Sequence, residues 1–501
     1  MGARRRFARA LAALLASALV GCGNPAGGEA HRALSAVPTS SDAAATVESV
    51  AVDDAPRPQV ATSAPSLDGA APLVEASASA APSASAAEEG PASPPITLPK
   101  VLLAHDFAAD PPVFSAAFDG SLRYSLWLRT MRFARRMESV HGDKPHLTFF
   151  VNAAFYSTEN MPSDVGHART HREVLVRRAL TQLAINEGHD IGDHGYGHFD
   201  GSRWTREEWD RELDHFHAVM ASAVFEPVRD AEGTPLFPVF DPLPTAPARA
   251  VGATCSVDAN CDSSLCLEID AKTKLCSAPC NLKAKCPDGT ACGAPMFRED
   301  TDVCLPPPRA PIVVDGVTLF DAKGEPNLKH PRLHPYRIVG FRAPYLGSDD
   351  AMFESLIGHG YVFDTSRAVG PAPPFYFASS TKGSLTSARI LELALMPWPG
   401  ARAVPMDYNY RRDKATAARM ESDYRAAIVA AYDAGHWPWN IGHHFATWEE
   451  GAYLDVLERT VDYALSGCPD DAAKPRCPGT RVLTFRELAM RLRAGEATTK
   501  H

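Results

Sequence analysis

Short apolar runs alternate with amphipathic helical segments twice along this chain, over residues 98–245 and again over 311–497. This alternation sets the class of fold. PVFSAAFDG reads as a buried strand ending in a turn, and SLWLRTMRFARRMES follows with helical spacing of Trp127, Met131 and Phe133. PHLTFFVNAAFY is a second strand bounded by Pro145, and REVLVRRALTQLAINEG is a helix stopped by Gly188. HDIGDH runs from strand into loop, and residues 203–225 make another helix. YRIVGFRAPYLG, YVFDTS, ILELALMPWPG, WPWNIGHHF and RVLTFREL continue the strands, with helices between them. Strands alternating with helices imply parallel pairing through crossover helices, so an α/β barrel of βα units is expected.

The pattern breaks once. Residues 246–310 are polar and hold Cys255, Cys261, Cys266, Cys276, Cys280, Cys286, Cys292 and Cys304. No CxxC pair occurs among them, which speaks against a thiolate zinc site. They read as a disulfide-stapled insertion, and Cys468 with Cys477 reads as a further bridge. Disulfides of this number imply an oxidising compartment.

The N-terminus agrees with export. Arg4, Arg5, Arg6 and Arg9 precede LAALLASALVGC, an apolar run too short to span a bilayer comfortably. Leu19-Val20-Gly21-Cys22 resembles a bacterial lipobox, which implies a signal peptide over residues 1–22 and a lipidated Cys22. Residues 23–97 are rich in Ala, Ser, Pro and acidic residues, cannot bury a core, and read as a disordered tether. The expectation is an exported, membrane-anchored lipoprotein. A formal net charge of −10 argues against a nucleic-acid partner, and no protein partner is indicated.

Functional groups in parallel βα folds gather at the C-terminal ends of strands. Asp119, His194, His198, Arg342, Asp364 and the pair His443-His444 all lie where apolar runs stop. The strings around them, FSAAFDG, LTFFVN, GHDIGDHGYGH, GFRAPYLG, GYVFDTS and IGHHF, occur in an order that resembles the polysaccharide deacetylase family, also called NodB-like or carbohydrate esterase family four. The resemblance covers residues 98–495, with the cysteine-rich segment as an insertion. It implies a distorted (β/α)7 barrel and a divalent metal, most often zinc.

The resemblance also implies roles. His194 and His198 would be metal ligands, and His189 would not. Arg342 would orient the catalytic aspartate, and the Tyr345 backbone N–H would help hold an oxyanion. Asp364 would tune the catalytic histidine. His444 matches best as the general acid, with His443 as its rival, because adjacent strand residues face opposite sides. Trp437, Trp439 and Trp448 could stack on sugar rings or fill core.

One string departs from the family pattern. Where the family has two aspartates, TFDDG, this chain has Phe118-Asp119-Gly120. Aligned on Phe-Asp, Asp119 is the general base and Gly120 replaces a metal ligand. Aligned on Asp-Gly, Asp119 is the ligand and the base is missing. The first alignment leaves the strand alternation undisturbed. Asp193, Asp200 or Asp407 could then supply the missing ligand. The implied function is metal-dependent removal of N-acetyl groups from an extracytoplasmic polysaccharide. The alternatives are an impaired relative that only binds glycans and a hydrolase of a small or O-acetylated substrate.

Overall fold

Seven short parallel strands carry the site. In chain order they are β1 (Val113–Gly120), β2 (Thr148–Val151), β3 (Asp190–Asp193), β4 (Gly340–Phe341), β5 (Phe363–Asp364), β6 (Arg389–Glu392) and β7 (Trp439–His444). The computed structural model describes residues 98–498, except 169, 237–246, 248, 264, 269–272, 281–284, 293–301, 306–310, 369–371, 380–388, 398–403 and 470–474. The signal segment, the tether and Cys22 lie outside the described residues.

The strands lie side by side in the order β6-β5-β4-β3-β2-β1-β7, every pairing parallel. The order around the sheet therefore follows the order in the chain, as in a (β/α)7 barrel. No ladder joins β7 to β6 among the described residues. Asn440 Nδ2 instead donates to Ala394 O at 3.3 Å and Trp439 Nε1 to Met396 O at 3.4 Å. This side-chain seam is the distortion in the barrel. Antiparallel strands Lys100–Leu102 and Phe375–Ala378 extend the β6 edge, and Arg481–Val482 pairs with the start of β1.

The helices are α1 (Tyr124–His141), α2 (His171–Asn186), α3 (Arg206–Met220), α4 (Asp350–Gly358), α5 (Asp407–Arg412), α6 (Ala417–Asp433), α7 (Ala452–Leu465) and α8 (Phe485–Thr498). Their ends follow local chemistry. The Thr170 hydroxyl caps α2 by accepting from the Glu173 N–H, and Thr205 with Glu208 forms a reciprocal capping box on α3. Trp127 on α1 is fully buried, lies 4.3 Å from Phe149 on β2, and donates to Ser121 O at 2.7 Å. Packing of that size contributes about 3 kcal/mol, and the hydrogen bond fixes the turn that follows β1.

The insertion holds four disulfides, Cys255–Cys266, Cys261–Cys276, Cys280–Cys292 and Cys286–Cys304. They form two interlocked pairs, each crossing over a short antiparallel ladder. Leu267, Leu275, Val303 and Leu305 from this segment join the same apolar core as α1 and α2. Cys468 and Cys477 do not form the expected further bridge. Both thiols are buried, and the Cys468 thiol is raised by its hydrogen bond to Cys477 and by burial. Backbone hydrogen bonds Cys477 N to Gly467 O (2.9 Å) and Arg476 N to Cys468 O (3.3 Å) hold that turn. Among the described residues no helix is long and apolar enough to cross a membrane.

Candidate active site

The C-terminal ends of β1, β2, β3 and β7 open into one cavity of about 420 Å³. Asp119, Asn152, His194, His198, Tyr345 and His444 line it, and Phe155, Val165, Leu346, Met406, Phe445 and Trp448 form its apolar wall. The parallel register of β1 and β7 sets Asp119 directly beside His444.

Asp119 is 3% exposed, and Arg342 Nη1 donates to its Oδ1 at 2.8 Å. Burial pushes this carboxyl up, but Arg342, His194 and His444 outweigh it and leave it below the ordinary range. Arg342 is fully buried, lies 4.6 Å over the Phe150 ring, and also donates to Thr365 Oγ1 at 3.1 Å. Its approach to β7 needs a glycine: a Cβ on Gly442 would lie 2.8 Å from Arg342 Nη1.

His194 follows β3. Its Nδ1–H donates to Arg342 O at 2.7 Å, which leaves the other ring nitrogen as a lone-pair donor. The His198 ring lies 4.9 Å away, and its Nδ1 is buried without a partner. Burial and the neighbouring His194 hold His198 down to about 3, so its imidazole is neutral. Burial likewise lowers His194. Neutral imidazoles side by side suit a borderline cation such as zinc. Asp119, His194 and His198 do not bring one ligand atom each within 4.8 Å of one another; among the described residues only disulfide cysteines do so. The two histidines fit a metal, and the carboxylate expected to join them is turned to Arg342.

The substitutes weighed for that carboxylate are engaged elsewhere. Asp193 accepts from the Gly195 N–H at 2.6 Å and from the Tyr361 hydroxyl. Asp200 is exposed and accepts from the Ser202 N–H at 3.0 Å. Asp407, at the start of α5, belongs to His444.

His444 lines the cavity, whereas His443 is turned outward to the Tyr424 hydroxyl at 3.2 Å. The His444 Nδ1–H donates to Asp407 Oδ1 at 2.7 Å, and its backbone N–H donates to Asp407 Oδ2 at 2.9 Å. Burial would lower this imidazole, but Asp407 and Asp119 raise it above its ordinary value. The partner expected from sequence was Asp364, and this expectation is corrected. Asp364 accepts instead from Ser366 N and Ser366 Oγ, both at 2.8 Å, and lies against the buried Glu392. Ser366 Oγ in turn accepts from the Ala343 N–H at 2.8 Å, so Asp364 braces the turn after Arg342.

That turn, Pro344–Leu346, bears Tyr345 at the cavity rim, 64% exposed, with its ring 4.8 Å from His198. Ser121, His198, Tyr345 and Leu346 all line the cavity and all have positive φ. Such strain in non-glycine residues, about 1–3 kcal/mol each, clusters at functional sites. His189 lies outside the cavity lining, in the core, accepting from the Leu147 N–H at 3.1 Å. Of the flanking tryptophans, only Trp448 reaches the cavity, 5.2 Å from His444, with Tyr408 beside it; Trp439 stacks on Phe114 in the core.

No protein-family model matches the chain, and no curated protein matches it. Among solved structures it is similar to a protein described as a polysaccharide deacetylase from Mycobacterium smegmatis, with 14% identity over 81% of this chain and 95% of that one, TM-score 0.38. It is similar to the Xyl-CE4 domain of a multidomain xylanase from the hindgut metagenome of Trinervitermes trinervoides, with 8% identity over 76% and 91% of the chains, TM-score 0.30. Puue allantoinase superposes at 10% identity over 80% and 98%, TM-score 0.39.

Proposed function

We propose that this chain hydrolyses amide bonds, removing N-acetyl groups from an extracytoplasmic polysaccharide. The observation that carries the reading is the pairing of Asp119 with His444. They are register neighbours on adjacent strands, and one environment favours the ionised carboxyl while the other favours the protonated imidazole. Titratable groups pushed apart in this way mark a base and an acid.

Asp119 takes the proton from the attacking water, and Arg342 keeps it ionised and aimed. His444 gives a proton to the departing amine, and Asp407 orients it through Nδ1. His194 and His198 would hold a divalent metal, most fittingly zinc, which when bound would polarise the acetyl carbonyl and acidify water. Tyr345 lies on the rim turn, and its backbone N–H would help hold the developing oxyanion, as the sequence resemblance implies. The apolar wall receives the acetyl methyl and excludes water, and the exposed Tyr345 and Tyr408 offer ring faces to sugars, while Trp448 is buried beneath them.

The test is acetate release from N-acetylglucosamine oligomers with and without added zinc, alongside elemental analysis of the purified protein. About one metal per chain with zinc-dependent release is expected. Neither metal nor acetate, with glycan binding retained, would instead establish a glycan-binding protein. The failure of the three candidate ligands to close into one tight group is what keeps that second reading in play.

Export and anchoring through Cys22 belong to the same proposal, supported by the lipobox-like tetrapeptide and the disulfides. Cys22→Ser is expected to abolish incorporation of labelled fatty acid and to move the protein to the soluble fraction. Unchanged membrane partition of that variant would refute lipid anchoring.

A further inference from the structure

The place left by Gly120 faces a buried amide. We infer that Asn152 supplies the oxygen ligand that Gly120 cannot, so that the metal is held by His194, His198 and the Asn152 carboxamide. The inference rests on the proposed metal-dependent reading and specifies its ligand set.

Asn152 immediately follows β2 and is 0% exposed. Its Nδ2 donates to His194 O at 2.5 Å and to Gly195 O at 3.3 Å. Carbonyls only accept, so these bonds fix which end of the amide is nitrogen. The other end, Oδ1, is buried and has no hydrogen-bond partner. An unmatched buried acceptor costs about 1–3 kcal/mol, and a bound cation is one way to offset that cost.

Its position indicates which ligand. A Cβ built on Gly120 would lie 3.6 Å from Asn152 Oδ1, the nearest atom to it. A carboxylate on residue 120 would therefore reach toward the same space. Asn152 and His194 line one cavity, and the amide is bonded to the backbone of His194 itself. Backbone bonds Ala153 N to Gly195 O (3.3 Å) and Ala154 N to Tyr196 O (3.1 Å) lace the two loops together. His198, which lines the same cavity, also has a ring nitrogen, Nδ1, without a partner. Amide oxygen is a weaker zinc ligand than carboxylate, so the site would bind metal less tightly than one with an aspartate while leaving Asp119 as base.

The experiment is a zinc competition titration against a chromophoric chelator, with wild type, Asn152→Ala, Asn152→Asp and His194→Ala, and melting of the metal-free proteins as the folding control. Wild type is expected to bind one zinc, and His194→Ala to lose it. Asn152→Ala is expected to weaken binding at least about tenfold. Asn152→Asp is expected to tighten it by a similar factor, and it decides the matter if Asn152→Ala does not fold. Wild-type affinity in a folded Asn152→Ala, or in Asn152→Asp, would overturn the inference and leave the metal-dependent reading standing. No zinc binding by wild type would overturn both.

Discussion

Asp119→Asn is expected to lower kcat about a thousandfold while zinc affinity changes only a few-fold. General-base catalysis is worth about 10² to 10⁴ in rate, and the substitution removes the base without changing its shape. The two alignments of the Phe-Asp-Gly string predict opposite results. If Asp119 is the base, turnover collapses and metal stays. If Asp119 is the ligand, metal and turnover are lost together. The 2.8 Å bond from Arg342 favours the first, because it engages the carboxylate with a guanidinium. The substitution also leaves Arg342 buried without its counter-charge. Breaking a buried pair costs about 3–5 kcal/mol, so rates must be normalised to folded protein by thermal melting. The sign of the pH dependence follows from the lowered carboxyl. A depressed folded-state value contributes stability above the unfolded value, and that stability is lost as pH falls through the folded one. The wild type should accordingly lose both rate and stability on the acid side, and the variant should show less of that loss.

Much of this site was legible because parallel strands end on one face. Asp119, His194, Arg342 and His444 each close an apolar run, and the fold class alone collects such residues. His443 against His444 needed more. Alternation says that one of them faces inward, but which one depends on the register of β7 against β1, where His444 falls opposite Asp119. Asp407 was legible only as a spare ligand. It follows a loop between β6 and α5 that has no periodicity to read, and it meets His444 at the end of β7, while Asp364 stood at a strand end and matched a motif. Asn152 was harder still. An asparagine after TFFV carries no signal by itself, and its meaning comes from burial, two fixed amide hydrogens and an empty acceptor. The cysteine count implied bridges but not their pairing, and for Cys468 and Cys477 closeness in sequence became a thiol hydrogen bond and not a disulfide.

Asp407→Asn is expected to move the alkaline limb of the rate profile to lower pH and to reduce kcat on the order of a hundredfold on the alkaline side. His444 acts as an acid only while protonated, and Asp407 is the leading influence that raises it against the lowering effect of burial. Without that charge the imidazole releases its proton at lower pH, and the fraction able to protonate the amine falls earlier. As pH falls, protonation of His444 rises in both proteins, so the gap between their rates should narrow. The amide can still accept from the His444 N–H, which isolates charge and ring orientation from backbone support. Asp364→Asn is the control. It touches Ser366 and, through it, the Ala343 turn, so it should lower kcat without shifting the limb. The measurement is kcat against pH by acetate release for the three proteins. Equal loss at every pH in Asp407→Asn would reduce Asp407 to a structural prop, and a shifted limb in Asp364→Asn would restore that residue to the role its motif suggests.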